Sequence, residues 1–216
     1  MKDKETIIFL HLSDIHINIE KDISDEHIRK IVDSLKSYKS INIKNVIIII
    51  SGDITQSGEN SQFLNAGKMI GSLITGIRNT FGCYFKVLIV PGNHDVNHAG
   101  KPLDISYLKE GKYTEVESQE HHKLSSFYNF ARFNRCFKHS EIYYDTQFLN
   151  IQGVKIKVNL INNGIFSTRN EYKGLLYLPN DYIDKLSDRE DADFVISIMH
   201  HAPDYYRDDI KNRLED

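Results

Sequence analysis

A chain of 216 residues fits one α/β domain with a full core. Its 27 basic and 30 acidic side chains leave a net charge of −3, which argues against the broad positive field of a nucleic-acid or anionic-membrane binder. The only two cysteines, Cys83 and Cys136, argue against a disulfide framework and a thiolate zinc site.

No apolar run reaches the roughly 20 residues of a membrane span. The N-terminal apolar run is too short for a signal peptide, and Asp3 and Glu5 lie among its lysines. A cytoplasmic, reducing location is the expectation.

Thr6 to Leu12 reads as the first strand, and Ser24 as the N-cap of a helix whose stripe is Ile28, Ile31, Val32 and Leu35. Asn45 to Ile50 is apolar without alternation, which suits a parallel strand covered on both faces. A helix over about 58–80 follows, weakened by Gly67, Gly71 and Gly76, and then a third strand, Phe85 to Val90. Strand, helix, strand, helix, strand predicts βαβ units around a parallel core.

From Val96 to Ser140 the pattern changes, and Gly100, Pro102 and Gly111 mark loops. Thr114-x-x-Glu117 reads as a capping box opening one long helix, with Leu124, Phe127, Tyr128, Phe130, Ala131, Phe133 and Phe137 packed to the core. His121-His122 falls on its solvated face. Strands are expected over 142–149, 154–161 and 174–178, with a turn at Gln152-Gly153. A short helix opens at Pro179-Asn180, a fourth apolar strand covers 192–199, and 204–214 looks helical.

The chemistry gathers where apolar runs stop. The first run ends in Asp14-Ile15-His16 and the second in Gly52-Asp53. The third ends in Gly92-Asn93-His94-Asp95, the fourth in His200-His201. Ligands of open α/β sheets sit beyond the carboxyl ends of the strands, so four such endings point to one site. Asp14 and His16 at i, i+2 share a side if the chain stays extended. Carboxylate, imidazole and carboxamide together suit a divalent cation such as zinc, manganese or iron. His94 is an imidazole, the side chain suited to proton transfer, and Asp95 is placed to fix its tautomer.

These four blocks resemble the calcineurin-like metallophosphoesterases, whose pattern is D-x-H, G-D, G-N-H-[DE], a strand-end His and a final G-H-x-H. The resemblance implies a single domain over 1–216 with a helical insertion at about 97–140. Its expected fold is a four-layer αββα sandwich of mixed sheets, with helices on the outer faces. It implies that Asp14 and His16 hold one cation, that Asp53 bridges two, and that Asn93 and His200 hold the second. The cations would be two divalent ions drawn from manganese, iron and zinc, manganese first.

The implied reaction is hydrolysis of a phosphate ester, by phosphodiesterase or phosphatase action. A metal-bridging hydroxide attacks while His94, oriented by Asp95, assists the leaving group. Nucleotides and nucleic acids are among the candidate substrates. No G-H-x-H follows His201. The resemblance therefore implies a C-terminally truncated domain, with a further domain or partner chain supplying the missing ligands, or His98 or His201 standing in. The alternatives are a weakly active or inactive metal- or nucleotide-binding module, and a metal-dependent nuclease.

Overall fold

The computed structural model describes residues 6–18, 25–38, 41–99, 103–134 and 143–215. Ser24, Cys136 and Phe137 lie outside them. The first half of the chain is β1 (Thr6–Leu12), α1 (Asp25–Lys36), β2 (Ile43–Ser51), α2 (Asn60–Phe81) and β3 (Tyr84–Val90). All three strands are parallel, in the order β1-β2-β3. Parallel neighbours need right-handed crossovers, so both helices fall on the same face of this sheet. α1 and α2 touch closely at Gly76, where a Cβ would lie 2.7 Å from the Val32 side chain. That approach explains a glycine inside a helix. Val46, Ile47, Ile48 and Ile50 of the middle strand have no exposed surface, as an uninterrupted apolar run requires.

The second sheet is mixed. β4 (Tyr144–Ile151) and β5 (Val154–Ile161) form an antiparallel hairpin, and β6 (Phe194–Ile198) runs parallel to β5. Gln152 and Gly153 both take positive φ, 57° and 84°, the turn geometry that matches strand twist. β5 packs toward β3 of the first sheet. Its alternate residues Lys157 and Asn159 reach outward to carbonyls of α6 (Asn180–Ser187) and of Asp188 just beyond it. The layers run helix, sheet, sheet, helix. Among the described residues no helix is long and apolar enough to cross a membrane.

Two sequence expectations differ. After a short α3 (Ile105–Lys109), the single helix expected from Thr114 is α4 (Tyr113–Glu120), a 3₁₀ turn at His121–Leu124 and α5 (Ser125–Phe133), and Phe133, expected on the core side, is 87% exposed at the end of α5. Thr114 lies inside α4 rather than at its cap. The break is where the Lys123 carbonyl accepts the Asn97 N–H at 2.9 Å, and where Lys123 and Glu120, both buried, pair at 2.5 Å. A three-residue spacing favours the tighter turn. His122 is exposed, while His121 rests half-buried beside the Tyr128 ring. The strand expected over 174–178 is only an isolated bridge, Leu176 to Tyr206, because its facing segment turns into α7 (Asp208–Glu215).

Candidate metal centre

The loops after β1, β2 and β3 leave the same edge of the first sheet, and His200 follows β6 at that edge. Asp53, buried to 3% exposure, is the meeting point. Its Oδ2 lies 3.6 Å from His16 Nε2 and its Oδ1 lies 3.4 Å from His200 Nε2. His200 Nε2 is also 3.2 Å from Asn93 Oδ1. Two groups of ligand atoms result, His16–Asp53–His94 and Asp14–Asp53–His200, each with all atoms within 4.8 Å of one another. Asp53 belongs to both.

The backbone is bent to achieve this. Asp14, His16 and Asp53 have φ of 54°, 50° and 52°, a region that costs a side-chain-bearing residue about 1–3 kcal/mol. The extended run expected for Asp14 and His16 is therefore replaced by two left-handed residues. Asp14 N–H donates to the Gly52 carbonyl (3.2 Å) and His16 N–H to the Asp53 carbonyl (2.9 Å). Two glycines make room. A Cβ on Gly52 would fall 2.6 Å from the His200 ring, and one on Gly92 would fall 2.1 Å from Asp53 Oδ1.

Hydrogen bonds fix which nitrogen each imidazole offers. His200 Nδ1 lies 2.8 Å from the Ser51 carbonyl and His94 Nδ1 lies 2.9 Å from the Gln56 carbonyl. A carbonyl only accepts, so Nδ1 carries the proton in both and Nε2 keeps its lone pair. Gln56, rather than Asp95, thus orients His94. The fully buried Asp95 carboxylate accepts instead from the N–H groups of Gly92 (3.0 Å), Ile54 (3.1 Å) and Thr55 (2.9 Å), and from the Thr55 hydroxyl (2.9 Å). Burial, opposed by the donors of Gly92, Thr55 and Ile54, leaves Asp95 raised to about 6. It ties the β2 loop to the β3 loop. Neither Ser51 nor Gln56 carries a sequence signal, since each contributes only its carbonyl.

The donor set fits a divalent cation. Lone pairs of His200 Nε2, Asn93 Oδ1 and Asp53 Oδ1 converge, a repulsive arrangement that a cation relieves, and buried His16 Nδ1 has no hydrogen-bond partner. Of the expected stand-ins, His98 is turned to the Asn93 carbonyl through Nε2 at 3.0 Å. His201 faces Glu171, with Nε2 and Oε2 3.2 Å apart. Neither joins the candidate groups found among the described residues.

The family model described as calcineurin-like phosphoesterase matches residues 7–215. The chain belongs to the calcineurin-like phosphoesterases, a family of metal-dependent phosphoester hydrolases. Comparison with curated proteins gives no match.

Proposed function

We propose that this protein is a hydrolase of phosphate esters that works with two divalent cations, manganese first among them. Asp14, His16, Asp53, Asn93 and His200 would hold the cations, with Asp53 shared. The observation that carries this reading is the Asp53 carboxylate, which faces an imidazole nitrogen with each oxygen and belongs to both ligand groups. When bound, such cations polarise phosphoryl oxygens and lower the pKa of water, supplying a nucleophile at neutral pH.

The chain's own residues do the rest. His94 holds its Nδ1 proton on the Gln56 carbonyl, so Nε2 is the atom that exchanges a proton with the leaving oxygen. Asp95 is a positioning residue, acting through the backbone of Gly92, Ile54 and Thr55. The two-cysteine composition supports a reducing, cytoplasmic setting.

The test is turnover of a chromogenic phosphodiester by the manganese-loaded chain. Asp53→Asn keeps an oxygen to accept the His94 N–H, now 2.9 Å from Oδ1, so the fold survives while turnover falls below detection. His94→Ala lowers kcat by about 10²–10⁴. Wild-type turnover in either variant would overturn the reading.

A further inference from the structure

α5 packs against the first turns of α2, and the two helices leave a groove of about 790 Å³ between them. Its floor is apolar. Phe63 and Phe130, both buried, meet there with ring centroids 5.1 Å apart, and Gly67 lies beside them. Leu64 on the α2 side is 63% exposed, and Phe133 on the α5 side is almost wholly exposed. Single exposed apolar side chains are ordinary, but two that flank an apolar groove mark an interaction surface. Gly67 has no packing reason within the described chain, since a Cβ there would meet nothing within 4 Å. It sits inside a helix, where glycine is disfavoured, and it keeps the floor open to another backbone.

Charge selects the partner. Lys68 is the one charged residue among the described lining, and its Nζ donates to Asn65 Oδ1 at 3.2 Å. Over their whole length α2 and α5 carry Lys68, Arg78 and Arg132 and no acidic residue, in a chain where acids outnumber bases by 30 to 27. Arg78 lies over the Phe85 ring, 4.9 Å from its centroid. Lys68 and Arg132 are exposed, and among the described residues neither pairs with a carboxylate. Glu59, just before α2, accepts from the Ser57 hydroxyl at 3.1 Å.

An amphipathic helix laid in a groove presents apolar side chains at i, i+3, i+4 and i+7. The α2 edge of this groove runs from Asn60 to Lys68, about 12 Å at the helical rise, which two turns of such a helix span. A small apolar molecule on the floor would leave the outer surfaces of Leu64 and Phe133 in water, and a flat bilayer cannot reach the floor. A second copy of this chain, related by a two-fold axis, would bring two basic patches together, an arrangement that like charge disfavours.

We propose that the groove between α2 and α5 docks an acidic amphipathic helix of a partner protein, whose apolar residues sit between Leu64 and Phe133 and whose carboxylates meet Lys68 and Arg132. No residue of the groove belongs to the candidate ligand groups, so the proposal stands apart from the phosphoesterase reading.

The probe is a labelled helical peptide of about 18 residues, with leucines at i, i+3, i+4, i+7 and i+11 and glutamates on its other face, titrated with the full chain. Its twin carries lysine for every glutamate. The acidic peptide should saturate at roughly micromolar concentration, and its twin should bind about tenfold more weakly. Lys68→Glu should shrink that preference severalfold. Gly67→Leu puts a side chain where the described chain leaves room, so it should weaken the acidic peptide about tenfold while the urea midpoint rises. That pairing separates loss of the groove from loss of the fold. No saturation below about 1 mM, equal binding of the two peptides, or binding unchanged by Gly67→Leu would overturn the proposal. So would sedimentation showing a dimer that Gly67→Leu dissociates, since the occupant would then be a second copy. Tighter binding to phosphatidylserine vesicles than to the peptide would overturn it as well.

Discussion

Asp14, His16 and Asp53 hold a backbone conformation that residues with side chains avoid, and a ladder of bonds between the β1 and β2 loops keeps them there. Stability is given up where the candidate ligands are placed. Asp14→Gly relieves one such residue, so the urea midpoint should rise, by up to about 1 kcal/mol of stability. Manganese affinity, followed by titration, should fall at least about tenfold, in line with loss of a ligand. Gly92→Ala tests the opposite case, because the added methyl must displace the Asp53 carboxylate. Expected are a loss of about 1–3 kcal/mol in denaturant unfolding and no metal retained after dialysis.

At this scale the sequence was informative about residue types and blind to conformation. Asp14, His16, Asp53, Asn93, His94 and His200 stand at the ends of apolar runs that any reader can find. Their left-handed φ, and the service of Ser51 and Gln56 through carbonyls, leave no trace in side-chain chemistry. Asp95 was misassigned because adjacency to His94 in the chain stood in for contact. Its four donors come from the backbone and hydroxyl of two loops, and none from the imidazole.

Among elements, the parallel βαβ core was legible because β2 and β3 are apolar without alternation and α1 carries a clear 3.6-residue stripe. The helical region after the third strand was not. Its break depends on the Asn97 N–H, more than twenty residues upstream, capturing the Lys123 carbonyl. The seating of α6 is a second contact that local pattern hides. Buried Lys157 sends its ammonium to the carbonyls of Lys185 (2.9 Å) and Asp188 (2.6 Å), closing the end of that helix, with Glu190 Oε1 3.2 Å away. Lys157→Met should leave those carbonyls unpaired and lower stability by about 1–3 kcal/mol in urea unfolding. Manganese affinity should stay at the wild-type value, since no residue of α6 belongs to the candidate ligand groups.

For the molecule as a whole, the candidate metal centre joins the two sheets. The Ser51 carbonyl at the end of β2 meets His200, which lies 149 residues later at the end of β6. A cation held between Asp53 and His200 would bind the folded chain and not the unfolded one. Manganese at a hundred times its dissociation constant should therefore add about 2.7 kcal/mol. That corresponds to a rise of about 5–10 °C in Tm for a chain of this size, read by scanning calorimetry and reversed by chelator. In Asp53→Asn the rise should vanish.

The middle strand of the first sheet carries a cost of its own. Val46 to Ile50 is five β-branched residues without a charge or a proline, hidden only after β1 and β3 have docked along its two edges. Until those strands dock the stretch is open, and such a segment self-associates into cross-β stacks. The same isoleucines that bring Asp53 to the candidate centre therefore give the unfolded chain a stretch prone to self-association.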